Sequence, residues 1–353
     1  MTPMISAQRI LVIQFRMIGD VLLSTPVLRA LRQHYPQSYI AFCTEPSAAG
    51  VLKNNPFIDA VLLHPRSAPW RQELRFLRQV RQGRFDLVID LMGNPRSAAL
   101  TCVSGARHRV AFARFPRSLC YTMRVNHRHE VQGYTVPKRL RLLEPLGIRA
   151  TDLSLSLTYT QEDTEAVRQF LRVHGITPDD LFICIDPTSY VPTRQWPGEN
   201  FSRLADRLSE RLGARVCILW GPGEQEKVQA IAAAARCQPI LHPPWEITRV
   251  AALLARADFF VGCSSAPMHI AVSQQTPTLT ILGATPGVNW VPPMAQHRAV
   301  FAGLPCQPCN KNHCGPPLNI ACLRTLTVDA VYAAALACRP WVAKMRQSPA
   351  TDG

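Results

Sequence analysis

The chain lacks any apolar run close to the roughly 18 residues a membrane-spanning helix needs; the longest, around Ile10 to Phe15, is far too short. Its opening also lacks the cleavage-type tail of a secretory signal, because Arg16 and Asp20 follow directly on that short run. A cytoplasmic protein is therefore expected. No GxGxxG follows an apolar strand and no GxxxxGK[ST] occurs, which weighs against a nicotinamide dehydrogenase and a P-loop NTPase. Aromatic residues are few, at 7%, and no helix-turn-helix, RRM or zinc-finger spacing is present. A nucleic-acid-binding protein is thereby disfavoured, despite a formal charge of +15. With 47% apolar and 18% charged residues over 353 positions, the chain is neither disordered nor collagen-like, coiled-coil or disulfide-stapled. About two domains of ordinary size are expected.

Acidic residues are scarce in one half only. Residues 1–150 hold 22 Lys+Arg against 8 Asp+Glu, a net of +14, whereas residues 151–353 are nearly balanced at +1. The excess is densest at Arg66 to Arg84 and from Arg107 to Arg128. For any single arginine a solvated surface is an adequate explanation. A whole half so biased should attract a polyanion: nucleic acid, an anionic membrane surface or a phosphorylated substrate.

The 12 cysteines of a cytoplasmic chain are not expected to form a disulfide framework. Cys43, Cys102, Cys120, Cys184, Cys217, Cys237 and Cys338 stand singly and read as small core residues. Cys306, Cys309, Cys314 and Cys322 cluster, with His313 among them. That spacing suits either a structural zinc or iron–sulfur site or a set of reduced structural thiols. Four thiolates around zinc would leave no open catalytic position.

Short apolar runs alternate with helical patterns along the chain. In the first half, strands are expected at Ile10–Phe15, Tyr39–Cys43, Ala60–Leu63, Leu87–Asp90 and Arg109–Phe112, with helices at Val21–Leu31, Trp70–Arg81 and Pro95–Val103. The pattern restarts after Leu157 with helices at Glu162–His174, Phe201–Leu212, Glu224–Ala235 and Ile247–Ala255. Strands there are expected at Leu181–Ile185, Val216–Trp220, Phe259–Val261 and Thr278–Leu282. A Pro- and Cys-rich loop is expected over 284–325 and a last helix over Val328–Arg346. Two successive strand–helix series imply an α/β protein with two Rossmann-like domains and parallel sheets.

In such sheets ligands bind beyond the carboxyl ends of the strands, and four junctions carry chemistry there. At the first, Gly19 permits a tight backbone approach, and Asp20 opens a helix either as its N-cap or as a general base. The second, Asp186 to Pro197, offers Thr188, Ser189 and Arg194 to a phosphate, unless it is an ordinary turn. Trp220 to Glu224 supplies a glycine turn and a carboxylate suited to ribose hydroxyls, or to a helix start. At the fourth, Ser264, Ser265 and Ala266 precede a helix whose free N–H groups suit an anion, with His269 in its first turns.

These segments together resemble the bacterial lipopolysaccharide heptosyltransferases, glycosyltransferase family 9. The resemblance is carried by FRMIGDVLLSTPVLRAL, PTSYVPTRQWP, WGPGE, VGCSSAPMHIA, TPTLTILGATPG and the cysteine-rich CQPCNKNHCGPPLNIACL, in family order along essentially the whole chain. It implies a GT-B fold with an acceptor domain at 1–160, a donor domain at 161–326 that includes the 306–322 loop, and a C-terminal helix and tail at 327–353 packing back on the first domain. It implies inverting transfer of heptose from ADP-L-glycero-D-manno-heptose to the lipopolysaccharide inner core, with no required metal. By position, Asp20 matches the catalytic base. Thr188, Ser189 and Arg194 match diphosphate contacts, Glu224 a ribose contact and Trp245 an adenine neighbour. Ser265, Ala266 and His269 match the second phosphate- and sugar-contacting loop.

The basic half then serves an anionic acceptor, with Arg16, Gly19, Arg66, Arg96, Arg114 and Arg117 as candidate contacts. A monomer bound peripherally at the inner face of the inner membrane is expected. Two departures from the family pattern stand out. Ser264-Ser265-Ala266 replaces the usual Asp-Ser/Thr-Gly, and Tyr190 stands where many members carry a basic residue. The Ser-Ala-Pro form resembles the branch that adds the third heptose. The alternatives are an epimerase or transferase acting on another nucleotide sugar.

Overall fold

Fully apolar runs such as Leu11–Ile13 and Phe182–Ile185 suit strands buried on both faces, as parallel sheets with helical cover require. In the computed structural model, which describes residues 5–64, 66–113, 115–126 and 133–338, these runs do form the inner strands. The chain divides between Thr158 and Tyr159 into two units. The sequence pattern places that boundary at 160/161.

The first unit holds strands β1 (Arg9–Ile13), β2 (Tyr39–Thr44), β3 (Ala60–Leu63), β4 (Leu87–Asp90), β5 (His108–Phe112) and β6 (Met123–Val125). They form one sheet in the order β3-β2-β1-β4-β5-β6, with every pairing parallel. The order reverses between β1 and β4, so a crevice is expected at their carboxyl ends. β1, β2 and β4 are almost wholly buried, whereas the edge strand β3 is only half-buried.

The helix expected over Val21–Leu31 is two helices, Ile18–Leu22 and Thr25–His34. Pro26 has no N–H to return to residue 22, and the Thr25 hydroxyl donates to the Leu22 carbonyl instead, at 2.8 Å. The chain turns there, and Asp20 is left on a short helix of its own.

The second unit holds β7 (Phe182–Asp186), β8 (Arg215–Ile218), β9 (Ile240–Leu241), β10 (Phe259–Cys263), β11 (Thr278–Ile281) and β12 (His297–Val300). Their order, β12-β11-β10-β7-β8-β9, repeats the first topology, again all parallel. The switch point here lies between β7 and β10.

The span expected as one loop, 284–325, is partly regular. Gly287–Trp290 and Ala321–Arg324 are short helices, and β12 extends the sheet beside β11. β12 leaves no strand signal in the sequence because its four residues, HRAV, carry too little apolar pattern. Of the last helix, expected over Val328–Arg346, the part Val328–Leu336 is helical, and 339–346 lie outside the described residues. It packs on the helix Gly198–Leu212 of its own unit. The return to the first domain was expected of the whole helix and tail at 327–353, of which 339–353 lie outside the described residues.

Candidate active site

In the first unit, the sequence-predicted residues follow the carboxyl ends of successive strands. Arg16, Gly19 and Asp20 follow β1, Arg66 follows β3, Arg96 follows β4, and Arg117 opens a helical turn after β5. Arg114 lies outside the described residues.

Asp20 is the third residue of its helix and not its N-cap, which is Met17. Its Oδ2 accepts a long bond from the Met17 N–H at 3.3 Å. Its Oδ1 is paired with the guanidinium of Arg139 at 2.7 Å. Arg139 is buried and also donates to the Ser24 hydroxyl at 2.9 Å and to the Asp20 carbonyl. Burial disfavours the charged guanidinium, and the Asp20 carboxylate opposes that effect. A forked cation of this kind fixes the carboxylate plane, leaving Oδ2, on a side chain about 26% exposed, as the oxygen free to meet a ligand.

The other candidate arginines differ in their commitments. Arg66 is exposed and Arg16 and Arg117 are half-buried. Arg96 donates to Glu45 at 3.1 Å and to the His64 carbonyl at 3.3 Å, and lies 4.8 Å from the Phe15 ring centroid. His64 is buried, stacks on Phe76 at 4.2 Å and meets both Glu73 oxygens at 2.9 Å. Together these groups form a polar and aromatic wall at the ends of β1, β2 and β3.

In the second unit, one buried carboxylate organises two of the predicted loops. Asp186 ends β7; its Oδ1 accepts from the Thr188 hydroxyl at 3.2 Å and N–H at 3.4 Å, and its Oδ2 accepts from the Ser265 hydroxyl. Burial, with the Glu224 charge adding to it, pushes the Asp186 pKa up to about 7, while the Ser265 and Thr188 hydrogen bonds oppose the rise. Gly262 makes room for it: a Cβ there would lie 2.7 Å from both the Asp186 Cβ and its carbonyl oxygen. Asp186 thereby ties the phosphate-type loop after β7 to the helix start after β10.

The loop itself is anchored beyond its polar part. Trp196 is fully buried, packs edge-on to Phe201 at 5.0 Å and donates Nε1–H to the Leu326 carbonyl at 2.9 Å. Gly283 lets β11 exit against this loop, since a Cβ would fall 2.1 Å from the Thr193 carbonyl oxygen. Between these anchors, Ser189 accepts from the Val191 N–H at 3.3 Å, and Arg194 is half-buried with no acidic partner among the described residues. A half-buried guanidinium without a counter-charge, beside hydroxyls and N–H groups, suits a dianionic ligand.

Ser265 is the N-cap residue and Ala266 the first residue of the helix Ala266–Ser273, in which His269 is buried and lies edge-on to Trp290 at 6.2 Å. Glu224 turns its Oε2 back onto the Gly221 N–H at 2.7 Å, closing the turn after β8. Beyond β8 and β9 runs an aromatic ladder. Trp220 stacks on His242 at 5.6 Å, and His242 on Trp245 at 5.7 Å. Burial lowers the His242 pKa. Its Nδ1 meets the Pro243 carbonyl at 2.5 Å and its Nε2 lies 3.2 Å from the Trp220 N–H, as a neutral tautomer protonated on Nδ1 would. Stacked flat surfaces of this kind suit a nucleobase.

Sequence reasoning missed Arg139, Asp186 and His242. For Asp186 a signal existed: an acid closing an apolar strand immediately before Pro-Thr-Ser. For Arg139, 119 residues from Asp20, there was none.

The cysteine loop stands apart. Cys306, Cys309, Cys314 and Cys322 line one small cavity of about 20 Å³, and burial followed by the other three thiols raises the Cys322 pKa. Cys314 Sγ accepts from the Ile320 N–H at 3.2 Å. Among the described residues, no set of three or more His, Cys, Asp or Glu is arranged to hold a metal ion. No described helix is long and apolar enough to cross a membrane.

Residues 73–317 match the family model described as Glycosyltransferase family 9 (heptosyltransferase). Lipopolysaccharide heptosyltransferase 3 of Escherichia coli K12 is 29% identical over 285 residues, spanning 78% of this chain and 82% of that protein. Among solved structures, a glycosyl transferase family 9 protein of Veillonella parvula superposes with a TM-score of 0.79 at 25% identity, covering 94% of this chain and 97% of that one. The E. coli heptosyltransferase WaaC with ADP-2-deoxy-2-fluoro heptose gives 0.67 at 24% identity, covering 93% and 98%. At that identity the likeness to WaaC is one of fold: two α/β units, as in GT-B heptosyltransferases.

Proposed function

Because the chain belongs to glycosyltransferase family 9, we propose that it transfers heptose from ADP-L-glycero-D-manno-heptose to the lipopolysaccharide inner core, with inversion and with Asp20 as general base. It is a glycosyltransferase; the donor, the stereochemistry and the residue roles are the content of the proposal. The observation that carries it is the chemistry gathered at the end of β7 and β10, where Asp186 joins Thr188 and Ser265 and the loop after β7 carries Arg194, which has no acidic partner among the described residues. The aromatic ladder beyond β9 adds a base-stacking surface on the same sheet edge.

In the reaction, the acceptor hydroxyl gives its proton to Asp20 Oδ2 as its oxygen bonds to the anomeric carbon. The bond from that carbon to the diphosphate breaks, and ADP leaves with the electron pair. Arg194 and the N–H groups opening the helix at Ala266 offset the charge that develops on the diphosphate. Glu224 accepts from ribose hydroxyls, and Trp245, backed by His242, flanks adenine. Arg16, Arg66, Arg96, Arg114 and Arg117 serve the anionic acceptor, and Gly19 allows its close approach. No cofactor is required, and the four thiols of the 306–322 loop are structural. The enzyme acts as a monomer at the cytoplasmic leaflet of the inner membrane.

Three tests bear on the donor. ADP should raise the melting temperature more than UDP or GDP does; at 100 times its Kd the stabilisation is about 2.7 kcal/mol. Equal or greater stabilisation by UDP would favour another nucleotide sugar. Arg194→Ala should weaken ADP by roughly 10- to 100-fold, the range of a charged hydrogen bond worth about 1.5–3 kcal/mol, as read by calorimetry. Trp245→Ala should weaken ADP while leaving pyrophosphate binding unchanged, because only the base would lose its partner.

A further inference from the structure

Asp20 sits on a helix too short to hold a side chain in place by itself. Ile18–Leu22 has five residues, and a single isolated turn is unfavourable to form in water. The main chain is also left open where this helix breaks. In a continuous helix the Ser24 N–H would return to the Asp20 carbonyl; here it bonds the Val21 carbonyl at 3.0 Å. The Asp20 carbonyl accepts instead from the Ser24 hydroxyl, at 2.9 Å, and from Nη1 of Arg139. The same Nη1 donates to the Ser24 hydroxyl at 2.9 Å, while Nη2 donates to Asp20 Oδ1 at 2.7 Å. One guanidinium thus grips Asp20 by its side chain, by its main chain and through its neighbour.

Arg139 belongs to the helix Thr135–Leu140, whose Val136 and Leu140 are buried as well. The ion pair is uneven. The Arg139 side chain is 8% exposed and that of Asp20 26%. A buried guanidinium facing one carboxylate is a poor source of stability, because the cost of desolvating it offsets the attraction. An apolar residue of similar volume commonly serves the fold as well or better. Both terminal nitrogens of Arg139 are already committed to Asp20 and Ser24, so the side chain is not set up to meet a substrate. What the arrangement supplies is precision. A reacting group must be held within about 0.5 Å of its productive place by partners that are themselves locked, and a one-turn helix lacks that rigidity without a clamp.

We propose that Arg139 is a positioning residue for transfer: by holding Asp20 Oδ1, the Asp20 carbonyl and Ser24 together, it aims Oδ2 at the acceptor hydroxyl without touching substrate itself. The inference rests on the reading of Asp20 as general base.

The test is steady-state transfer with purified donor and acceptor, beside thermal melts, for Arg139→Met, Arg139→Lys, Asp20→Asn and the double variant D20N/R139M. Arg139→Met should lower kcat about 100-fold, the cost of misplacing a reacting group by about an ångström. Both KM values and the melting-temperature shift produced by ADP should stay at their wild-type values. The melting temperature itself should equal or exceed that of wild type, because the partly open Asp20 stays solvated and no buried charge remains. Arg139→Lys should regain part of the lost kcat, since an ammonium can meet the carboxylate but cannot fork to the carbonyl as well. In the Asp20→Asn background, Arg139→Met should cost less than about twofold more, because the two residues act as one unit. Should Arg139→Met not fold, Arg139→Lys carries the same comparison with a smaller loss. Wild-type kcat in both Arg139 variants, a loss that tracks a lowered melting temperature, a raised acceptor KM, or losses that multiply in D20N/R139M would each overturn the proposal. Near-wild-type turnover by Asp20→Asn would instead remove the base on which the inference rests. Low turnover by Asp20→Asn beside full kcat in the Arg139 variants would leave that base standing and this inference refuted.

Discussion

Asp20→Asn is expected to lower turnover by about 10²–10⁴-fold, the usual contribution of a positioned general base. The substitution is chosen for what it keeps. The amide oxygen can still accept from Arg139, and the amide retains the volume of the carboxylate, so the buried guanidinium keeps its hydrogen bond while losing its counter-charge. Truncation to alanine would confound the test further, because Arg139, with no other acid within reach among the described residues, would lose its hydrogen-bond acceptor and leave a void as well as losing its counter-charge. What asparagine cannot do is take a proton. ADP release with purified donor and acceptor should therefore collapse, while the melting-temperature shift produced by ADP stays at its wild-type value. Near-wild-type ADP release would remove Asp20 from the role of base.

The distinction between Asp20 and its helix shows where sequence reasoning succeeds and where it stops. Fully apolar strands between amphipathic helices made both sheets legible, since only a doubly covered parallel sheet buries RILVI, FICID and FFVGC on both faces. Three of the four edge strands were not legible: MRV and IL are too short to show a period, and HRAV carries too little apolar pattern. The break between Leu22 and Thr25 depends on a hydroxyl taking over one backbone bond, which no hydrophobic pattern records. The site divides in the same way. Loop residues at strand ends announce themselves through Gly, Ser, Thr and Arg after apolar runs. Their supports do not: Arg139 reaches Asp20 from a helix 119 residues away, and only the folded chain brings them together. His242 likewise sits in a segment with no motif, where stacking between Trp220 and Trp245 gives it its place.

Asp186→Asn is expected to stabilise the protein, by an amount that grows with pH. The sign follows from linkage. The Asp186 pKa rises from 3.8 in the open chain to about 7 in the fold, chiefly through burial. Below pH 4 both states hold the proton and the carboxylate costs nothing. Between pH 4 and 7 the unfolded chain releases its proton while the fold must keep it, so stability falls progressively as pH rises. Above pH 7 the fold carries a buried charge and the full penalty, on the order of 4 kcal/mol, is in place. An amide has no such titration and keeps both of its neighbours, accepting from Thr188 through its oxygen and donating to Ser265 through its nitrogen. The melting temperature of the variant should therefore match wild type near pH 4, exceed it increasingly to pH 7, and exceed it by a constant several degrees at pH 8 and above. A diphosphate placed against the same loop would favour the protonated acid further, so ADP binding by wild type near pH 7.5 should draw in a proton, visible as a binding enthalpy that depends on the buffer. In Asp186→Asn that buffer dependence should vanish. A difference in melting temperature independent of pH would mean that Asp186 is ionised throughout, and a buffer dependence that survives the substitution would assign the proton to another group.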